Sequence, residues 1–442
     1  MNTRPVTAID FVIEPSAMHD GDTRVPGDKS ISHRALLLGS VADGTSTVRG
    51  FLEGADCLAT RLALENLGVQ IEDLEAGVIA IHGKGFGSLG GSSAPLDLGN
   101  SGTGLRLLAG LLVGQGVEAT LTGDASLRAR PMGRILEPLR AMGARLESTS
   151  GHAPLTIGKS PDLHGVSWVL PMASAQVKSA ILLAGLGATG VTMVTEPSPT
   201  RDHTERMLAQ MGVAIRNESG TVTMLPVPKL RSMDLTVPGD LSSAAFLIVA
   251  ALVAEDIELR IRDVGINPTR TGILTILAQM GADIEVCNER KYGEEPVADI
   301  RVRSSKLRGI EVDAQLVSLA IDEFPVLFVA AACASGQTVF SGLQELRVKE
   351  SDRIETMAEG LAALGIEVQK TTDGAIISGG PISGGEINSH GDHRVAMAFA
   401  VLGSRIASPL RIRDVANVAT SFPGFAGLCA NLGLQVRESG DG

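Results

Sequence analysis

Aromatic residues and cysteines are both scarce in this chain of 442 residues. One Trp, one Tyr and ten Phe leave the core to be packed mainly by Leu, Ile, Val, Ala and Met. The four cysteines, Cys57, Cys287, Cys333 and Cys429, lack the spacing of a metal site. We therefore expect buried free thiols in a reducing cytoplasm, and neither a metal centre nor a cysteine nucleophile.

Positive charge is in deficit, and long apolar runs are missing. The chain has 38 Lys and Arg against 50 Asp and Glu, a net charge of −12, which argues against nucleic-acid and membrane partners. Residues 246–254 form one of the longest apolar runs and suit a buried helix rather than a membrane span. Residues 1–14 lack the pattern of a secretory signal. A small anion can still bind wherever basic residues are locally concentrated.

Glycine, in contrast, is abundant, and it marks an internal repeat. The pattern is Leu, two residues, Leu or Met, Gly, and then alternating apolar residues, with Cys429 replacing the first Leu of the last copy. Its six glycines are Gly68, Gly143, Gly212, Gly281, Gly365 and Gly433. Each copy predicts an amphipathic helix that ends at a left-handed Gly before a strand begins. The spacing of roughly 70 residues predicts six small α/β subdomains rather than a solenoid.

A second repeat divides these subdomains into two groups. The sequence Val-Pro-Gly-Asp occurs at residues 25–28 and again at 237–240, with three glycine marks between the copies and three after them. Pro-Gly-Asp is common turn chemistry, so the argument depends on where the copies lie. We predict two similar domains, one of residues 24–238 and one of 239–442 together with 1–23.

Several predicted helices begin with polar or charged side chains. These starts lie at residues 28–30, 100–103, 173–176, 240–243, 322–323 and 391–394. A helix N-terminus beside a Lys, a hydroxyl and an Arg favours a bound anion, as at Lys29, Ser30 and Arg34. Each start alone is equally explained as an ordinary cap. Their repetition favours an anion site.

Two further stretches combine charge with possible acid–base chemistry. In residues 347–353, Lys349 and Arg353 are predicted to share a helical face beside Glu350, as an anion clamp or as a salt-bridged solvated helix start. Asp322 precedes a very apolar helix and is either a general base or part of a helix cap. Arg130 precedes a proline, which biases its backbone to an extended conformation.

Taken together, these motifs resemble the 5-enolpyruvylshikimate-3-phosphate synthase family, the 3-phosphoshikimate 1-carboxyvinyltransferases. The matching sequences are Pro-Gly-Asp-Lys-Ser-Ile-Ser-His-Arg from Pro26, Gly-Asn-Ser-Gly-Thr from Gly99, Arg-Pro-Met from Arg130, Arg-Val-Lys-Glu-Ser-Asp-Arg from Arg347 and Asp-His-Arg from Asp392. The resemblance implies an α/β fold of two similar domains, each of three βαβαββ units, known as the inside-out α/β barrel of enolpyruvyl transferases.

The chain looks like the class II branch of that family. Residues 201–205 and 267–270 carry marks of this branch. Glu345 and Thr420 stand where class I members have an Asn and a Lys that contact substrates, so those two contacts are not carried over.

The resemblance also implies a reaction and the residues that perform it. The enolpyruvyl group of phosphoenolpyruvate would pass to the 5-hydroxyl of shikimate 3-phosphate with release of phosphate, in a monomer that needs no cofactor. Shikimate 3-phosphate would be held by Lys29, Ser30, Arg34, Ser174, Gln176, Arg201 and Lys349. Phosphoenolpyruvate would be held by Lys29, Gly102, Arg130, Gln176, Arg353 and Arg394. Asp322 would take the 5-hydroxyl proton, while Glu350 and Lys29 would serve proton transfer at C3.

Two alternatives to this function remain at the level of sequence. UDP-N-acetylglucosamine enolpyruvyl transferase shares the implied fold but normally has a reactive cysteine in a mobile loop, and residues 122–127 here contain none. A non-catalytic anion-binding repeat protein would leave Asp322 and Glu350 without a role. The family resemblance further implies that glyphosate occupies the phosphoenolpyruvate site, close to Gly102.

Overall fold

The computed structural model describes residues 9–227 and 229–440. The chain divides into two compact units. Of the described residues, unit 1 takes 9–26, Gly239–Arg290 and 297–440, and unit 2 takes Gly27–Pro238 and Lys291–Pro296. The two copies of Val-Pro-Gly-Asp therefore lie where the chain passes from one unit to the other.

The described residues form helices and strands that alternate along the chain. The strands are β1 (Ile9–Glu14), β2 (Gly21–Arg24), β3 (Asp43–Arg49), β4 (Gln70–Glu75), β5 (Val78–Lys84), β6 (Leu96–Asp97), β7 (Ala119–Thr122), β8 (Arg145–Thr149), β9 (His152–Gly158), β10 (Ser167–Val169), β11 (Thr192–Thr195), β12 (Ile215–Glu218), β13 (Thr221–Met224), β14 (Asp234–Thr236), β15 (Glu258–Gly265), β16 (Asp283–Tyr292), β17 (Glu295–Arg303), β18 (Gln337–Phe340), β19 (Glu367–Lys370), β20 (Ala375–Ser378), β21 (Gly385–Asn388), β22 (Leu410–Arg413) and β23 (Gln435–Gly440).

The α-helices are α1 (Lys29–Ser40), α2 (Ala55–Asn66), α3 (Gly102–Gln115), α4 (Ala125–Ala129), α5 (Gly133–Ala141), α6 (Ala175–Gly185), α7 (His203–Gln210), α8 (Leu241–Val253), α9 (Gly272–Gln279), α10 (Val317–Ala320), α11 (Phe324–Ala332), α12 (Arg353–Ala363), α13 (His393–Ala400) and α14 (Phe425–Asn431). Short 3-10 helices cover Ala314–Leu316, Gln344–Val348, Val401–Ser404 and Ala416–Thr420.

The sheets repeat one topology. In unit 2 the strand orders are β14-β3-β5-β4, β6-β7-β9-β8 and β10-β11-β13-β12. The first pair of each sheet is parallel and the other pairs are antiparallel. In unit 1 the orders are β2-β15-β17-β16, β21-β22-β1-β23 and β18-β20-β19. Beside the three-stranded sheet, isolated parallel bridges join Arg308 to Ser335 and Glu311 to Val339, where the other sheets have a parallel edge strand.

The six glycine marks are confirmed as helix ends. Their φ angles lie between 89° and 94°, the left-handed region that favours Gly. Each follows the end of α2, α5, α7, α9, α12 or α14 by two residues. The predicted helix ends are thereby confirmed, three in each unit.

Each unit has a hydrophobic core of its own, built around the helices that begin at the predicted polar starts. All thirteen residues of α8 are buried, as are ten of the twelve residues of α1. Unit 2 fits the expectation of an aliphatic core. Unit 1 departs from it, because several of the few Phe residues gather there, with Phe425 packed against Phe11, Phe246 and Phe422.

Helices α3 and α6 of unit 2 approach closely enough to exclude a methyl group. A Cβ placed on Gly110 would lie 2.2 Å from the carbonyl oxygen of Ala180 and 2.7 Å from its Cα. Both atoms belong to the backbone of α6, so the clash can be relieved only if the two helices separate.

Among the described residues, no helix has the length and apolarity that crossing a bilayer would require.

We predict that Gly110→Ala lowers the free energy of unfolding by about 1–3 kcal/mol, the usual cost of overpacking a core. Urea unfolding followed by circular dichroism measures it. The matched control is Gly133→Ala in the same unit, where an added Cβ meets no atom within 4 Å. Equal stability of the two variants would contradict the close packing of α3 on α6.

Candidate functional site

The start of α1 is the first part of the candidate site in unit 2. Asp28 caps the helix by accepting the Ile31 backbone N–H at 2.9 Å. The cap leaves Lys29 on the first turn, where its Nζ lies 3.0 Å from Asp56 Oδ2 at the beginning of α2. The side chain of Lys29 remains partly exposed. Its charge is therefore oriented by Asp56, a partner that no sequence spacing indicated.

Arg34 is on the same face of α1 as Ser30 but lies deeper. It donates to the Ser30 carbonyl at 2.9 Å and, from other nitrogens, to the hydroxyls of Thr204 and Ser179 at 2.7 Å each. Burial lowers the pKa of Arg34 to about 10, against the opposing attraction of the Glu205 carboxylate. Arg34 thus ties α1 to α6 and α7. A direct contact of Arg34 with substrate stays a prediction.

His33 connects α1 to the two helices beside it. Its Nδ1 is 2.9 Å from Thr60 Oγ1 on α2, and its Nε2 is 3.4 Å from Ser101 Oγ at the cap of α3. Burial, reinforced by the charges of Lys29 and Arg34, holds the pKa of His33 well below its usual value. A neutral histidine thus helps to locate the 99–104 loop, a role that the sequence did not reveal.

The start of α3 gathers two guanidinium groups around a glycine. Arg130 has the extended backbone expected before Pro131, with φ −76° and ψ 139°, and it donates to Asn100 Oδ1 at 2.6 Å. A Cβ on Gly102 would lie 3.1 Å from Arg130 Nη1 and 2.9 Å from Arg106 Nη1. Gly102 therefore leaves room for both guanidinium groups beside the helix N-terminus.

Arg106 is a residue that the sequence analysis missed. Its Nη1 donates to Gln176 Oε1 at 2.7 Å, and Gln176 Nε2 donates to Thr103 Oγ1 at 2.9 Å. Arg106 thereby joins Gln176 of α6 to the start of α3. The structure connects Gly102, Arg130 and Gln176 through Arg106.

The remaining predicted residues of unit 2, Ser174 and Arg201, lie at the starts of the two helices that share a buried charge cluster. Ser174 caps α6, and four residues later Lys178 is fully buried, 3.0 Å from Glu196 and 2.7 Å from Glu205. Burial raises the pKa of Glu205, while Lys178 opposes that shift. Arg201 precedes α7 and is near enough to Arg34 to contribute to the lowering of its pKa.

Unit 1 holds the predicted carboxylates and three cations in one connected cluster. Arg353 is buried at the first turn of α12 and donates to Asp392 Oδ2 at 2.8 Å and to Glu350 Oε2 at 2.6 Å. Its Nη1 also donates to Asp322 Oδ1 at 3.3 Å. Burial opposes the charge of Arg353, but the three carboxylates outweigh burial and raise its pKa.

Asp322 lies among the cations of this cluster. Lys349 Nζ is 3.7 Å from Asp322 Oδ1, and Arg394 Nη2 is 3.8 Å from Asp322 Oδ2. Arg394 also donates to the Asp322 carbonyl at 3.1 Å. The N-cap position of α11 is Glu323, and the Glu323 side chain makes no capping hydrogen bond.

One expectation about this cluster needs correction. Lys349 and Arg353 do not share a helical face, because a 3-10 helix ends at Val348 and α12 begins only at Arg353. They are brought together instead by Asp322, which both contact. Lys349 is also held by Glu345 at 2.9 Å, at the position where class I members have an Asn.

A cluster in unit 2 is the only arrangement among the described residues whose carboxylate and imidazole groups could ligate a metal. It consists of Asp202, His203 and Glu295. His203 Nδ1 already lies 2.7 Å from Glu295 Oε1, and Asp202 accepts from Arg206 at 2.8 Å. These contacts explain the cluster as a structural hydrogen-bond group. All four cysteines are free, and burial raises the pKa of Cys333 and Cys429 to about 12.

Known proteins resemble this chain over almost its whole length. Residues 13–428 match the family model described as EPSP synthase (3-phosphoshikimate 1-carboxyvinyltransferase). A 3-phosphoshikimate 1-carboxyvinyltransferase of Methylococcus capsulatus is 54% identical over 430 residues, covering 97% of this chain and 98% of the relative.

Two solved structures share the fold. An EPSP synthase from Acinetobacter baumannii superposes with a TM-score of 0.87 at 50% identity, covering 98% of this chain and 100% of the other. The enolpyruvyl transferase NikO from Streptomyces tendae, at 18% identity, has a TM-score of 0.80 over 99% of this chain and all of its own, which shows the fold alone. The two-domain enolpyruvyl transferase fold, with its repeated α/β subdomains, is thus confirmed, and the chain belongs to the EPSP synthase (3-phosphoshikimate 1-carboxyvinyltransferase) family.

Proposed function

We infer that the candidate residues of both units serve the reaction of this family. The enolpyruvyl group of phosphoenolpyruvate passes to the 5-hydroxyl of shikimate 3-phosphate, and phosphate is released. The observation that carries this inference is the cluster in which Asp322 and Glu350 are held against Lys349, Arg353 and Arg394. Such a cluster offers anion-binding cations and acid–base carboxylates side by side.

The reaction requires both anion-binding cations and acid–base carboxylates. The 5-oxygen adds to C2 of phosphoenolpyruvate while C3 gains a proton, which gives a tetrahedral ketal. C3 then loses a proton as the C2–oxygen bond to phosphate breaks. We propose that Asp322 takes the 5-hydroxyl proton and that Glu350 and Lys29 carry the proton to and from C3.

The cations would hold two polyanionic substrates. We propose that shikimate 3-phosphate is bound by Lys29, Ser30, Arg34, Ser174, Gln176, Arg201 and Lys349. We propose that phosphoenolpyruvate is bound by Lys29, Gly102, Arg130, Gln176, Arg353 and Arg394. The cations of this second set surround helix starts or lie on them, where backbone N–H groups add to the attraction for an anion. No cofactor takes part in these steps.

Phosphate release is the direct test of this function. The chain should release phosphate from phosphoenolpyruvate when shikimate 3-phosphate is present, and not when UDP-N-acetylglucosamine replaces it. Release with UDP-N-acetylglucosamine alone would favour the related transferase. Tight anion binding with no release from either acceptor would favour a non-catalytic protein.

We also propose that the enzyme acts as a monomer in the cytoplasm. Four free cysteines fit a compartment that keeps thiols reduced. Light scattering that returned the mass of two chains would contradict the monomer.

We predict that Lys29→Ala lowers kcat/KM, with a loss of transition-state stabilisation of about 2–5 kcal/mol. This is the usual cost of removing one partner of a charged contact. Steady-state kinetics with each substrate varied in turn measures the loss. Lys84→Ala, at an exposed lysine of the same unit, is the matched control and should stay within about twofold. A folded Lys29→Ala protein with normal kcat/KM would remove Lys29 from the site.

We further propose that glyphosate competes with phosphoenolpyruvate and that Gly102→Ala raises tolerance of it. The added methyl would press on the guanidinium groups of Arg106 and Arg130, which lie 2.9 and 3.1 Å from the ideal Cβ position. A slightly longer inhibitor should lose more than the substrate from this rearrangement. The ratio of glyphosate Ki to phosphoenolpyruvate KM should therefore rise. A constant or smaller ratio in the variant would remove the steric argument.

A further inference from the structure

Unit 1 contains a second buried set of charged side chains that the proposed reaction does not use. Arg270 donates from Nη2 to Asp240 Oδ1 at 2.9 Å and to Ser242 Oγ at 2.6 Å. The Ser242 hydroxyl donates in turn to Glu323 Oε1, and Arg270 Nη2 is 3.9 Å from that oxygen. All four residues are buried. Because buried charges are costly unless paired, each of these side chains depends on the others for its position.

This network lies at the second copy of the repeated helix start. Asp240 caps α8 by accepting the Ser242 backbone N–H at 2.9 Å, as Asp28 caps α1 after the first copy of Val-Pro-Gly-Asp. In unit 2 the two residues that follow the cap, Lys29 and Ser30, are partly exposed.

In unit 1 the corresponding residues, Leu241 and Ser242, are buried. The anion beside the start of α8 is therefore supplied from within the chain, by the carboxylate of Glu323.

Glu323 is adjacent in sequence to Asp322, and the two side chains have different partners. Asp322 is near Arg353, Lys349 and Arg394, the same cations that are proposed to hold the substrates. A polyanion that engages these cations competes with Asp322 for them. Glu323 instead accepts from the Ser242 hydroxyl and lies near Arg270, and both of these partners belong to the buried network.

We propose that Glu323 is a positioning residue for Asp322. Its carboxylate is fixed through Ser242 and Arg270 to the start of α8, and this anchor keeps Asp322 in place while substrate anions engage the surrounding cations. The inference rests on the proposed function, in which Asp322 takes the 5-hydroxyl proton. Displacing a general base by about 1 Å can lower the reaction rate about a hundredfold. Loss of such an anchor should therefore lower kcat.

The test is Glu323→Gln, which preserves shape and removes the charge. We expect kcat to fall at least about tenfold while KM for each substrate changes less than about threefold, since the lost interaction orients a base rather than binding substrate. Ser242→Ala removes the bridging hydroxyl, keeps both charges, and should shift kcat in the same direction. The matched control is Glu367→Gln, an exposed carboxylate on β19 of the same unit, which should leave both constants unchanged.

A double-mutant cycle with Asp322→Asn separates positioning from a general structural role. If Glu323 acts through Asp322, adding Glu323→Gln to Asp322→Asn should change kcat by less than about twofold. Additive losses, or wild-type kcat in both Glu323→Gln and Ser242→Ala, would overturn the inference. Wild-type kcat in Asp322→Asn would instead reject the base assigned in the proposed function, and the inference with it. Circular dichroism verifies that each variant is folded.

Discussion

The guanidinium group of Arg353 is the interaction on which the unit 1 site depends. Asp322, Glu350 and Asp392 all accept hydrogen bonds from it, and the side chain is almost entirely buried. A buried cation without such partners would be strongly destabilising. The planar fork of an Arg can serve several carboxylates at fixed angles, which a Lys cannot do. One side chain therefore fixes the positions of both carboxylates that are proposed to move protons.

The starts of α1 and α8, which follow the two copies of Val-Pro-Gly-Asp, differ in how their charged groups are balanced. At α1, Lys29 is balanced by Asp56 and remains partly exposed, as a group that binds a polyanion must. At α8, the repeat has Leu241 in place of the Lys, and Glu323 reaches the first turn from within unit 1. The two copies of the repeat thus begin two similarly capped helices, of which one has partly exposed residues after its cap and the other has buried ones.

Much of the architecture could be predicted because it depends on local rules. The six glycines marked the helix ends, because Gly adopts the left-handed conformation found there more readily than other residues do. Arg130 was expected to be extended because Pro131 restricts it, and it is. These features need only neighbouring residues to be understood.

The contacts that shape the candidate site could not be predicted in this way. Lys29 donates to Asp56, which is 27 residues away in sequence, and Arg34 donates to Thr204, which is 170 residues away. Arg106 occupies an ordinary helical position, and its contacts with Gln176 of α6 and with the Pro131 carbonyl depend on residues distant in sequence. The helical face expected for Lys349 and Arg353 was wrong for the same reason: Asp322, distant in sequence, joins them in place of a helix.

The most direct test of this account is the kcat/KM of Arg353→Lys, measured together with its unfolding midpoint. Lys retains the charge but offers a single nitrogen, which cannot hold the three carboxylates in their present geometry. We predict a folded protein whose kcat/KM falls by more than about tenfold, a change of 1.4 kcal/mol. A folded Arg353→Lys protein with wild-type kcat/KM would contradict the claim that the guanidinium geometry organises the site.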